Sequence, residues 1–134
     1  MLELECLDHL VLTVADIDAS CRFYGEVLGM RVITFAGNRK ALRFGAQKIN
    51  LHPQGKEYAP RSQNPTPGAA DICLLCRTPL ADVIAHLESR GVPIIDGPVR
   101  RSGARGPILS VYFRDPDGNL IEVANSIDDA DARI

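Results

Sequence analysis

Twice in this chain a strand pattern passes into a helix pattern without a break, and that repeated change restricts the fold more than any other feature. The first case is Leu7-Asp8-His9-Leu10-Val11-Leu12-Thr13-Val14, with Asp16 placed to open a helix directly after it. The second is Ala70-Asp71-Ile72-Cys73-Leu74-Leu75-Cys76, leading into a helix from near Thr78. Residues alternate between the faces of a strand, so His9, Val11 and Thr13 share one face and Leu10, Leu12 and Val14 the other. Both faces are mostly apolar, which predicts a strand over about 5–14 buried on both sides. Asp16 is a fitting helix cap. Ile17, Cys21, Tyr24 and Leu28 then recur at helical spacing up to Gly29, a residue that takes the left-handed stop conformation at little cost.

Three strands follow, over 30–35, 40–44 and 48–52, with a turn at Gly37-Asn38. Between Pro53 and Gly68 four prolines and two glycines interrupt any regular element, which predicts a linker. The second half repeats the order. A helix over 80–90 carries Leu80, Val83, Ile84 and Leu87 on one face and stops at Gly91. A short strand over 92–95 is expected next, then a loop rich in Gly, Arg and Pro over 96–107. A strand over 108–114, the tight turn Asp115-Pro116-Asp117-Gly118 and a last strand over 119–124 complete the half. Gly29 and Gly91 stand at equal distances from His9 and Asp71. The fold class that follows is α+β. Two βαβββ modules, 1–55 and 69–125, are joined by a linker over 56–68 and followed by an acidic, frayed tail over 126–134. The modules should pair, because each is too small to bury both faces of its sheet.

Composition closes off several functions. With 134 residues, 24% charged and a formal net charge of -2, the chain has no basic excess for nucleic acid. No apolar run approaches the ~20 residues that cross a bilayer, and no secretion signal opens the chain. A cytoplasmic protein is expected. Of the four cysteines, Cys73 and Cys76 have C-x-x-C spacing, yet residues three apart on a strand face opposite sides. Buried structural thiols are therefore expected.

If a pseudo-twofold relates the halves, matching positions converge: His9 with Asp71, and Asn50 with Glu122, with His52 on the same face as Asn50. Imidazole and carboxylates together suit a divalent cation such as Mn, Fe, Ni, Co or Zn. Glu122, an acid inside an apolar strand, should not be buried without a cation or hydrogen bonds. Each residue also has a plainer reading: His9 as a satisfied core histidine, Glu122 as an edge residue, Asp71 as a cap and His52 as an exposed strand end.

The βαβββ pair resembles the vicinal oxygen chelate superfamily. So do Asp8-His9-Leu10-Val11-Leu12, the segment Phe23-Tyr24-Gly25-Glu26-Val27-Leu28-Gly29-Met30 and the closing Phe113-Arg114-Asp115-Pro116-Asp117-Gly118-Asn119-Leu120-Ile121-Glu122. That group includes glyoxalase I, extradiol dioxygenases, fosfomycin-resistance enzymes and bleomycin-binding proteins. The likeness is nearest to small glyoxalase-domain-containing proteins, including bacterial virulence-protein members. The resemblance implies a cupped mixed sheet, a homodimer and one divalent metal held by His9, Asp71, Glu122 and His52. Asp71 stands where many members have His, and Asn50 where glyoxalases have Glu.

The expectation is a glyoxalase-like lyase or isomerase acting on a small substrate with vicinal oxygens. Glu122 would serve as base and His52 or Asp71 as its partner. Asn50, Lys48, Arg101 and Arg105 are the candidates to hold the substrate, the two arginines on a loop that closes over it. An extradiol Fe(II) dioxygenase and a metal-free small-molecule binding protein are the alternatives.

Overall fold

The computed structural model describes residues 1–128. The chain divides into two compact units, one over residues 1–68 and one from residue 69 onward. Each holds one four-stranded mixed sheet. In the first, β1 (His9–Val14) is followed by α1 (Ile17–Arg22) and one π turn (Phe23–Val27), then β2 (Arg31–Phe35), β3 (Arg39–Phe44) and β4 (Gln47–Pro53). The strand order is β1-β4-β3-β2, with β1 parallel to β4 and the other pairs antiparallel. In the second unit β5 (Asp71–Leu75) leads to α2 (Leu80–Ser89), β6 (Asp96–Gly103), β7 (Gly106–Arg114) and β8 (Leu120–Ser126), in the order β5-β8-β7-β6. Each unit is thus a βαβββ module.

The helices start and stop where the local chemistry directs. Asp16 accepts a hydrogen bond from the Ala19 amide at 3.0 Å and so caps α1. Gly29 and Gly91 take φ of +67° and +69°, which any residue with a Cβ would resist. One face of each sheet carries the core. Leu12, Val14, Leu42, Ile49, Leu51 and Tyr24 are buried in the first unit, and Val83, Leu87, Val111, Phe113, Ile121 and Val123 in the second.

The closing turn is a structural knot of polar groups. Asp115 is buried and accepts from the amides of Asp117 and Asn119, both at 2.9 Å, and from the Asn119 side chain at 2.8 Å. Asn119 in turn accepts from the Ala70 amide at 2.8 Å, which ties the start of β5 to the β7–β8 turn.

Five expectations are corrected. Strand β1 begins at His9 rather than near residue 5, because its partner begins to pair opposite His9. It is buried on one side only: Leu12 and Val14 are covered, while His9 and Val11 are exposed. No strand covers 92–95, and the presumed loop from 96 is strand β6, hairpinned to β7 through Ala104 and Arg105. An edge strand tolerates Pro98 and charged residues because one side of its ladder needs no partner, and the register shift between Asp96 and Val99 takes up the irregularity. Cys73 is exposed and Cys76 half-buried, and both are free thiols rather than core residues. Finally, β8 runs to Ser126, past the expected start of the tail. The rest of that tail, from residue 129, lies outside the described residues.

Candidate functional site

In the second unit, register concentrates polar groups on one sheet face. Asp71, Cys73 and Leu75 alternate along β5, and parallel pairing sets Cys73 opposite Glu122 of β8. Antiparallel pairing sets Tyr112 of β7 opposite Glu122 from the other side. Glu122 is half-buried and accepts a hydrogen bond of 2.5 Å from the Ser110 hydroxyl. Tyr112 and Cys73 stand directly across from this carboxylate on the two neighbouring strands, and its charge raises the pKa of both. Tyr112 accepts from Arg101 Nε at 3.0 Å, and Arg101 lies 3.6 Å from the Asp96 carboxylate. Burial, then the Glu122 charge, pushes the Cys73 thiol up to about 11, so it is protonated at neutral pH. Burial also raises the Tyr112 phenol, against the pull of Arg101.

These groups line a hollow of about 440 Å³ that includes Cys73, Leu75, Arg101, Arg105, Tyr112 and Glu122. A neighbouring hollow of about 510 Å³ on the same face adds Asp71 and Arg114. Arg101 and Arg105 therefore line the hollow from strand β6 and from the β6–β7 hairpin tip, where a loop was expected.

The first unit brings its own candidates to one face. Lys48, Asn50 and His52 alternate on β4 opposite His9, Val11 and Thr13 of β1. His9 is exposed, with Nδ1 2.8 Å from Asp8. His52 is 4% exposed and stands edge-on to Tyr58, ring centres 5.1 Å apart. Burial, with the Arg39 charge, holds its imidazole below the ordinary range and hence neutral at pH 7. The Arg39 guanidinium lies 4.1 Å over the Tyr58 ring. A hollow of about 320 Å³ is lined by Val11, Thr13, His52 and the 60–65 segment.

A divalent cation needs donors that converge on one point at ~2.0–2.2 Å. His9 and His52 stand opposite positions four residues apart on paired strands. At ~3.3 Å per residue that is about 13 Å, far beyond shared ligation. Asp71 and Glu122 share one face, but among the described residues no group of three or more His, Cys, Asp and Glu side chains comes together to hold a metal ion. Neither sheet by itself therefore gathers three such donors among its described residues, and no step below is routed through a metal.

The sequence profile of the Glyoxalase/Bleomycin resistance protein/Dioxygenase superfamily matches residues 6–123. The chain belongs to this superfamily. Among glyoxalase-superfamily relatives, Virulence protein STM3117 of Salmonella typhimurium is 55% identical over 121 residues, covering 90% of this chain and 84% of that one. Its crystal structure superposes with a TM-score of 0.93 at 53% identity, over 94% of this chain and 100% of that one. The glyoxalase domain-containing protein RDO1 of Mycosarcoma maydis is 50% identical over 124 residues, 92% of this chain and 70% of that protein. The lactoylglutathione lyase of Agrobacterium tumefaciens matches with a TM-score of 0.70 at 21% identity, over 92% and 95% of the two chains, which shows the shared fold.

Three neighbours of Glu122 in this glyoxalase-superfamily chain escaped the sequence reading: Ser110, Tyr112 and Cys73. A signal for two of them existed. Ser110 and Tyr112 are polar positions at period two in the apolar strand 108–114, facing the same side as each other. Arg39 and Tyr58, which flank His52, left no such trace.

Proposed function

We propose that this chain is a glyoxalase-type lyase or isomerase, and that it moves a proton on a small substrate bearing neighbouring oxygens with Glu122 as the base. The observation that carries the reading is the setting of that carboxylate. It lies on an open sheet face, inside a hollow of small-molecule size, among hydroxyl and thiol donors and two arginines. A carboxylate so held is oriented and can still accept a proton from a bound carbon acid. Arg101 and Arg105 offer charge for an oxyanion or a substrate carboxylate. Asp71, on the same face, is the nearest candidate to carry the proton onward. His52, buried and neutral, is the imidazole candidate, in the first unit.

The test is proton exchange in D₂O, followed by NMR, with thiol adducts of 2-oxoaldehydes and α-hydroxycarbonyl compounds. The wild-type protein should exchange the α-proton of at least one class, and Glu122→Gln should slow it by about 10²–10⁴-fold. Undiminished exchange in Glu122→Gln would remove the carboxylate from the chemistry. Metal analysis of protein purified without chelator belongs beside it, and would show whether a divalent ion accompanies the exchange. A second reading, a binding protein without chemistry, draws on the same hollow of about 440 Å³ and its mix of apolar and polar side chains. It predicts tight binding of such compounds with no exchange.

A further inference from the structure

The hydroxyl of Tyr112 holds a place in the second sheet that the reading of Glu122 leaves without a task. Arg101, Tyr112 and Glu122 are common to the walls of both hollows on that face, so they stand between them. Antiparallel register sets the phenol of β7 directly across from the carboxylate of β8, and paired Cβ atoms lie about 4.5–5.5 Å apart. Both groups are fixed. Ser110, one pleat from Tyr112, donates its hydroxyl to Glu122 Oε2 at 2.5 Å. Arg101 Nε donates to the Tyr112 hydroxyl oxygen at 3.0 Å, and the Ile95 amide donates to the Tyr112 carbonyl at 2.8 Å. Arg101 is itself held. One terminal nitrogen donates to the Arg100 carbonyl at 3.2 Å, and the other lies 3.6 Å from Asp96 Oδ2. The second oxygen of Asp96 accepts from the Gly97 amide at 2.8 Å. Every nitrogen of the guanidinium is thus engaged within the protein, which suits it to aiming one donor rather than to gripping a substrate. Stability does not account for the arrangement, because the side chains of Arg101 and Asp96 are 44% and 61% exposed and ion pairs in that setting add little.

A phenol has one proton to donate and accepts through its oxygen. With a cation donating to that oxygen, the proton is left for another acceptor, and it becomes a stronger donor because hydrogen bonds in series polarise one another. We infer that Tyr112 is a catalytic residue of the proposed reaction: its hydroxyl donates to the carbonyl oxygen of the substrate, beside the carbon whose proton Glu122 takes, and Arg101, held by Asp96, is the positioning residue behind it. This role rests on the reading of Glu122 as the base. In the step, the C–H electron pair becomes the C=C bond of an enolate, the carbonyl π pair moves onto oxygen, and the proton goes to Glu122. The phenol keeps its own proton and meets the new negative charge with it. Return of the proton from Glu122 to carbon reverses the flow and completes the exchange. The substrate class narrows to compounds whose carbonyl oxygen and adjoining C–H can face the sheet side by side.

Two measurements on the full chain make the test. The first is the rate of exchange in D₂O, at limiting and saturating levels of the carbonyl compound that the wild type exchanges fastest. Tyr112→Phe should lower kcat by about 10²–10³-fold with KM little changed, as loss of a donor to a developing oxyanion does. Arg101→Gln should lower kcat by about tenfold and Arg101→Lys by less. Tyr112→Phe combined with Arg101→Gln should be no slower than Tyr112→Phe alone, since Arg101 acts through the phenol. Arg100→Gln, an equal loss of charge on the opposite face of β6, should leave the rate unchanged. The second measurement needs no turnover. 4-Nitrophenolate carries its oxyanion on a flat carbon, as an enolate does, and its absorbance reports binding. Glu122→Gln, freed of the repelling charge, should bind it, and adding Tyr112→Phe should weaken that binding by about tenfold or more. Should Tyr112→Phe not fold, the exposed Arg101→Gln gives the same comparison in both measurements. Undiminished exchange in Tyr112→Phe, an effect of Arg101→Gln on KM alone, losses that multiply in the double variant, or nitrophenolate binding indifferent to Tyr112→Phe would each overturn the inference. Any of these with Glu122-dependent exchange intact would leave the proposed function standing, whereas a wild type without exchange would remove both.

Discussion

The Cys73 thiol stands in the wall of the second sheet's hollow, with Asp71 and Glu122 on its own face, and both carboxylates disfavour the thiolate. With the thiol pushed up to about 11, iodoacetamide should modify Cys73 slowly at pH 7.5 despite its exposure, and faster as pH rises. Glu122→Gln removes one of the charges, so the same reaction should accelerate severalfold at pH 8. Peptide mapping by mass spectrometry reads both outcomes. His52 makes the opposite kind of prediction. Burial and Arg39 hold its imidazole below the ordinary range, so unfolding takes up a proton in mild acid. The stabilising share is complete above about pH 6.5 and is lost as pH falls through the folded-state value. Urea unfolding between pH 4 and 7 should show this slope in the wild type and a flatter one in His52→Gln. The sequence exposed Glu122 as an acid in an apolar strand. Ser110 and Tyr112 were visible as polar positions at period two, but their convergence with Cys73 on that acid was hidden, because register across strands is a long-range fact.

Helix α2 begins at Leu80 after Pro79, with no cap from its own neighbours. Asn125 supplies it from the end of β8. Its Oδ1 accepts from the Leu80 amide at 2.7 Å, and its Nδ2 donates to the carbonyls of Cys76 and Thr78. Asn125→Ala should therefore cost about 1–2 kcal/mol, seen as a lowered midpoint in thermal unfolding, at the upper end of the range for a helix cap. Asp16→Ala, which removes a cap bond that is exposed, should cost less. Ending the last strand at 124 missed this, since a polar residue near a chain end looks solvated until its partners are known. Strand β6 was missed for a related reason. Its Gly, Pro and Arg content is that of a loop, and only edge position and pairing with β7 make it a strand. The elements with strong periodicity, β1, α1, α2, β7 and β8, were legible because apolar spacing by itself decides them.

Across the whole molecule, two βαβββ modules leave β1, β2, β5 and β6 as sheet edges, and Val11, Val32, Leu75 and Ile95 stay exposed. Apolar side chains on open sheets favour self-association, so sedimentation should give a species of about twice the chain mass, with Val32→Asp shifting it toward the monomer. The repeat was readable from its order of elements, and so was the family, through Asp115-Pro116-Asp117-Gly118-Asn119. That motif folds the β7–β8 corner and holds β5, and takes no part in the hollow. It speaks for the scaffold, which is why the reaction was so much harder to read. One close approach ties scaffold to chemistry. Gly97, at φ +99°, lies so near β7 that a Cβ there would meet the Ser110 carbonyl oxygen at 2.3 Å. Ser110 is the residue whose hydroxyl seats Glu122. Anyone diversifying this protein to accept new compounds should keep position 97 invariant: even alanine would shoulder the strand aside and unseat an acid it never touches.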